Sequence, residues 1–126
     1  MAITTNAIVV VKTPFEGDEV VASLYSADLS GAEDLVAAVT AKCIYVRKVQ
    51  IFAQSVADVT FDLGSAQGTG VTTIYIGPMP MPDAGGSCVI DFGPDHSMKI
   101  ASATSFAIDT SGACPASVLV WYKIAT

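Results

Sequence analysis

The sequence predicts an all-β chain, a β-sandwich of about eight short strands with jelly-roll topology as the leading candidate. Three observations carry that expectation. Runs rich in Val, Ile, Thr and aromatic residues recur along the 126 residues, with turn signals about every 8 to 12 positions. No stretch holds a sustained apolar period of 3.6, and no longer internal repeat is evident. The last strand, Val118 to Ile124, is apolar on both parities, which suits a strand in the middle of a sheet or against a partner.

The elements follow in order. Ile8-Val9-Val10-Val11 ends at Thr13-Pro14 and makes residues 1–12 an N-terminal arm or an edge strand, with 13–126 as a single sandwich domain. Val20 to Tyr25 reads as a second strand after the charged turn at Phe15 to Glu19. Ser30-Gly31-Ala32-Glu33 has the form of a capping box, with Glu33 and Asp34 as cap residues, but Leu35, Ala37 and Val39 alternate. A third extended segment is favoured there over one or two helical turns.

Residues 42–63 form the organising stretch. Cys43 to Phe52 is long and free of Gly and Pro, and Val59, Phe61 and Leu63 alternate with Thr60 and Asp62. The first of these runs changes phase: Ile44 and Val46 share one parity, Val49 and Ile51 the other, with Arg47 and Lys48 between. Either both faces are covered or a bulge sits at that point.

Gly64 to Gly70 reads as a flexible turn, and Val71 to Ile76 as a strand with Ile74 and Ile76 on one side. In Gly77-Pro78-Met79-Pro80-Met81-Pro82 the alternate prolines remove backbone donors and predict an extended, polyproline-like segment rather than a regular ladder. Met79 and Met81 then either form an outward, adhesive edge for a neighbouring subunit or pack over their own sandwich. Cys88 to Phe92 places Ile90 and Phe92 inward and Asp91 outward, while Met98–Ser102 and Ser105–Thr110 read as a further pair burying Phe106 and Ile108.

Composition points to an interface. Charged residues are 14 % and apolar residues 52 % of the chain, against about 25 % charged in an ordinary soluble domain. A domain this small leaves about a third of its unfolded-chain surface in water, so apolar surface is expected outside, as in an oligomer or an assembly subunit. A monomer coated with Ser, Thr, Ala and Gly is the alternative.

The net charge of −6 speaks against direct nucleic-acid binding, which needs a basic footprint. The cationic cluster Lys42, Arg47 and Lys48 reads as a solubilising patch or an edge guard. Cys43, Cys88 and Cys114 lack the spacing of a zinc site or disulfide framework and suit reduced thiols in a reducing cytoplasm. Met1 to Asn6 shows no positively charged leader, and no apolar run approaches the length of a membrane span.

Enzymatic chemistry is not expected. The one histidine, His96, lies in a Gly-Pro-Asp-His turn and reads as an exposed turn residue rather than a metal ligand with Asp95 or Asp91. Asp62 and Asp91 fall on the solvent parity of their strands. The Asp-rich loops lack calcium-loop spacing, and Gly68-Thr69-Gly70 lacks the rest of a phosphate loop. No catalytic residue, cofactor or metal is expected.

Leu35-Val36-Ala37-Ala38-Val39 with Lys42, the strand through Ile44 and Val46, and Val59-Thr60-Phe61 carry a family resemblance. It continues in Gly77-Pro78, Gly85-Gly86, Phe92-Gly93-Pro94 and Val120-Trp121-Tyr122. Over about residues 35–124 the chain resembles the small β-sandwich decoration, or cement, proteins of tailed-bacteriophage capsids. Ala41 stands where such sequences tend to have Gly, Cys43 where a second base is common, and Asp95-His96 where an aromatic is often found.

The resemblance implies a structural virion protein, made in the bacterial host cytoplasm and placed on the outer capsid surface. There it would bridge major capsid subunits, often as a homotrimer. Residues of the partner interface are then expected at Ile8 and Val10, Met79 and Met81, and Leu119 and Trp121. The rival is a receptor- or glycan-binding module of a tail or head fibre, for which Trp121 is the strongest aromatic candidate. A non-viral shell subunit shares the composition argument and differs in its partner.

Overall fold

The computed structural model describes residues 4–12, 18–26, 29, 33–53, 59–66, 71–80, 87–93 and 96–126, with backbone alone for 4–12, 18 and 72. The chain is all-β, with ten strands and no helix among the described residues. The strands are β1 (Thr4–Lys12), β2 (Asp18–Ser26), β3 (Glu33–Val36), β4 (Cys43–Ala53), β5 (Thr60–Ala66), β6 (Val71–Pro80), β7 (Ser87–Asp91), β8 (Met98–Ile100), β9 (Ser105–Thr110) and β10 (Ala116–Ala125).

They form two antiparallel sheets, as in a β-sandwich. The first runs β1-β2-β10-β4-β7, with β8 also on β4, and the second runs β3-β9-β5-β6. Successive strands cross repeatedly between the sheets. β4 and β5, adjacent in sequence, are therefore not paired with each other, and neither are β8 and β9, which the sequence reads as a pair.

Alternation explains the core. Leu24 on β2, Val118 and Val120 on β10, and Val46, Val49 and Ile51 on β4 face Phe61 and Leu63 on β5 and Phe106 and Ile108 on β9 in one apolar cluster. Burying such side chains contributes about 1.5–3 kcal/mol each. β10 lies between β2 and β4 in the sheet; Val118 and Val120 face the core, while Leu119 and Trp121 are half-buried on the opposite face.

The phase change in β4 is a bulge. Trp121 pairs with Lys48, but the next β10 residue, Tyr122, pairs with Val46, so Arg47 is the extra residue. On its other side β4 pairs with β7 as far as Lys48 and with β8 from Val46, so the bulge coincides with the break between those strands. The Arg47 carbonyl there accepts the Phe92 N–H at 3.0 Å. Because β4 is an interior strand, Arg47 and Lys48 do not guard an edge, and Lys42 lies just before the strand.

Several expectations are corrected. Glu33 and Asp34 are β3 residues, not helix caps, and Ser30 to Ala32 lie outside the described residues. Gly64 to Ala66 prolong β5 rather than turning. β6 continues through Gly77-Pro78-Met79-Pro80 as an edge strand, because an edge tolerates prolines that an interior ladder does not.

The ladder of β6 on β5 slips three times, between Phe61/Leu63, Leu63/Gly64 and Ser65/Ala66. One slip separates Ile74 from Ile76, so Ile76 packs on the core while Ile74 is 51 % exposed. Asp62 is half-buried rather than solvent-facing, and its Oδ1 has no hydrogen-bond partner among the described residues.

Candidate interface on the first sheet

On the first sheet the residues between the core-facing positions line up in rows across four strands. Val21, Trp121, Lys48 and Asp91 form one row; Ser23, Leu119, Gln50 and Val89 the next; Tyr25, Ser117, Phe52 and Ser87 the third. Cross-strand neighbours share a face, so these rows form the outward surface of β2, β10, β4 and β7. Val89 is 49 % and Phe52 38 % exposed, while Val21, Tyr25, Leu119 and Trp121 are half-buried.

This surface has an apolar part and a charged end. Lys48 Nζ lies 4.7 Å from the centroid of the Trp121 ring, a cation–π contact between cross-strand neighbours. One row further on, Lys123 Nζ lies 5.8 Å from the Tyr45 ring, and Lys99 pairs with Tyr45 from the other side. The bulge aims Arg47 along the same end: Nε and Nη2 donate to Glu19 Oε2 and Oε1 at 2.7 and 2.8 Å. This two-pronged pair holds Arg47 above its ordinary pKa, mainly through the hydrogen bond to Glu19.

The expected contact residues separate. Leu119 and Trp121 lie on this surface. Ile8 and Val10 lie in β1, opposite Ala22 and Val20. Met79, partly buried, packs against the core from the second sheet, one of the two readings its proline-rich setting left open, and Met81 lies outside the described residues. Sequence reasoning missed Val21, Tyr25, Phe52 and Val89. Parity alone marks Phe52 with Gln50 and Lys48, but only the cross-strand register brings it beside Leu119 and Val89.

Among the described residues no group of three or more His, Cys, Asp or Glu side chains could hold a metal ion, and His96 is exposed. Cys43 and Cys114 are buried thiols and Cys88 is half-buried. Among the described residues no helix is long and apolar enough to cross a membrane. No protein-family profile matches the sequence, and no curated protein matches it.

Proposed function

We propose that this protein is a capsid decoration protein of a tailed bacteriophage, bound to the outside of the assembled head through the outward surface of its first sheet. The observation that carries the reading is that surface: three rows across four strands, with Phe52, Val89, Leu119 and Trp121 toward solvent in a chain with 14 % charged residues. Its partner is the major capsid protein, at a junction of neighbouring subunits.

Two further features support the reading. The strand order β2-β10-β4-β7 over β3-β9-β5-β6, with chain crossings nested between the sheets, fits a jelly roll. Ala41, where the resemblance expects Gly, has φ of 61°, the left-handed conformation that glycine adopts most easily. The glycan-binding alternative is less well supported, because Lys48 lies over the Trp121 ring on which a sugar would stack.

The mechanism is mass action. A protein that binds the assembled lattice and not its separated subunits stabilises the lattice by RT ln(1 + [L]/Kd), about 2.7 kcal/mol at a hundredfold excess over Kd. Repetition over many sites turns modest contacts into a stable coat. The test is co-sedimentation of purified protein with empty heads. Phe52→Ser with Leu119→Asp should lower occupancy at least tenfold and leave the melting temperature within a few degrees. Wild-type occupancy by that folded variant, or no binding by the wild type, overturns the proposal.

A further inference from the structure

The four sheet edges are not equivalent. In the second sheet, β3 is four residues long, and β6 carries three register slips together with Gly77, Pro78 and Pro80. In the first sheet, the far edge is split between β7, five residues, and β8, three residues. Short strands, bulges and prolines are the usual means by which a sheet edge is kept from pairing with another chain.

β1 has few of these protections. It is nine residues long, contains no proline, and after one slip near Asn6 runs in unbroken register from Ala7 to Lys12 against β2. Its core sequence is Ile8-Val9-Val10-Val11. Among the described residues no strand pairs with its other side. In an antiparallel strand the backbone groups of alternate residues point to opposite sides, so half of this ladder faces outward.

We propose that the free edge of β1 pairs antiparallel with β1 of a second copy about a two-fold axis, joining two first sheets into one continuous sheet. A second β1 is the occupant because no other described edge of the chain offers an unbroken strand of matching length. Charge selects the direction: Lys12 is the one charged residue of β1, and antiparallel pairing sets the two lysines at opposite ends, where parallel pairing would stack them. The contact is isologous, closes at two copies and leaves no β1 edge free. It stands independently of the capsid reading, since it uses an edge and not the outward surface of the sheet.

Sedimentation equilibrium across a dilution series tests it on the full chain. The expected mass is twice the 13.0 kDa of one chain; a monomer or a trimer at every concentration overturns the proposal. Val9→Pro and Val10→Pro then separate the two sides of the strand, since adjacent residues aim their N–H groups oppositely. One variant should become monomeric with an unchanged far-ultraviolet spectrum and melting temperature, and the other should lose stability through the β1–β2 ladder. A dimer that persists in both overturns the proposal. Amide exchange of the wild type keeps the test decisive if both variants unfold: amides of residues 8–11 should all be protected when concentrated, with alternate ones released on dilution. Alternate fast exchange at every concentration contradicts the edge pairing.

Discussion

β4 and β6 both depart from a regular ladder, and they do so differently. β4, flanked on both sides, accepts a single extra residue, Arg47, where its outer neighbour changes from β7 to β8. The displaced side chain is held by two charge-assisted hydrogen bonds to Glu19. β6, with one flank open, slips three times against seven residues of β5. An interior strand must satisfy backbone groups on both sides, so a bulge there needs a specific partner. An edge strand can bend away from its neighbour, and doing so also blunts the edge.

The largest expected effect strikes the β5–β6 contact. A Cβ at Gly64 would stand 1.9 Å from the Thr73 carbonyl oxygen, which is backbone and cannot swing aside as a side chain does. Gly64→Ala should therefore cost about 3 kcal/mol, read as a lowered urea midpoint. An unchanged midpoint would show that β6 is loose enough to retreat, and the contrast between the strands would become one of rigidity.

The next effect tests the bulge in β4. Glu19→Gln leaves the Arg47 guanidinium without its counter-charge, at a site where the Glu19 side chain is 9 % and the Arg47 side chain 27 % exposed. Breaking a fully buried pair costs about 3–5 kcal/mol; the partial exposure of Arg47 reduces the expectation to about 2 kcal/mol. The double variant Glu19→Gln with Arg47→Met should recover most of the loss in a thermal melt. If it falls further instead, the bulge itself depends on the arginine.

The smallest effect is alkaline. Burial raises the pKa of the Cys88 thiol and of the Tyr122 phenol, the latter on β10 just beyond the bulge. Both groups are neutral when protonated and hold the proton more tightly folded than unfolded. Their contribution is complete below the unfolded pKa values and declines as pH rises, from about 9.0 for Cys88 and 10.0 for Tyr122. Tyr122→Phe should flatten the upper part of that decline in melts above pH 10, and an identical slope would remove Tyr122 from the account.

Much of the strand content was legible because it rests on local chemistry. The Val59, Phe61, Leu63 alternation and the two-sided apolar run at Val118 to Ile124 placed β5 and β10, and the phase change around Arg47 left a bulge as one of two readings. Gly64 was misread as a turn residue because glycine is needed equally for a turn and for a backbone approaching from the next strand. Met79 stayed between two readings because the proline pattern fixes an extended path without saying which face meets the core. The candidate surface was half legible: Leu119 and Trp121 follow from their own strand, whereas Phe52 and Val89 join them only through the register of β4 and β7.

Composition and periodicity by themselves determined that this chain makes strands and keeps few charges. Those properties come from side-chain chemistry and its spacing along the backbone, which need no partner strand. Which strands pair, which of their edges stay open and which apolar residues gather on one outward surface were decided only in the tertiary structure. Register is set by long-range hydrogen bonding and by the burial of a shared core, and neither leaves a trace in any single segment.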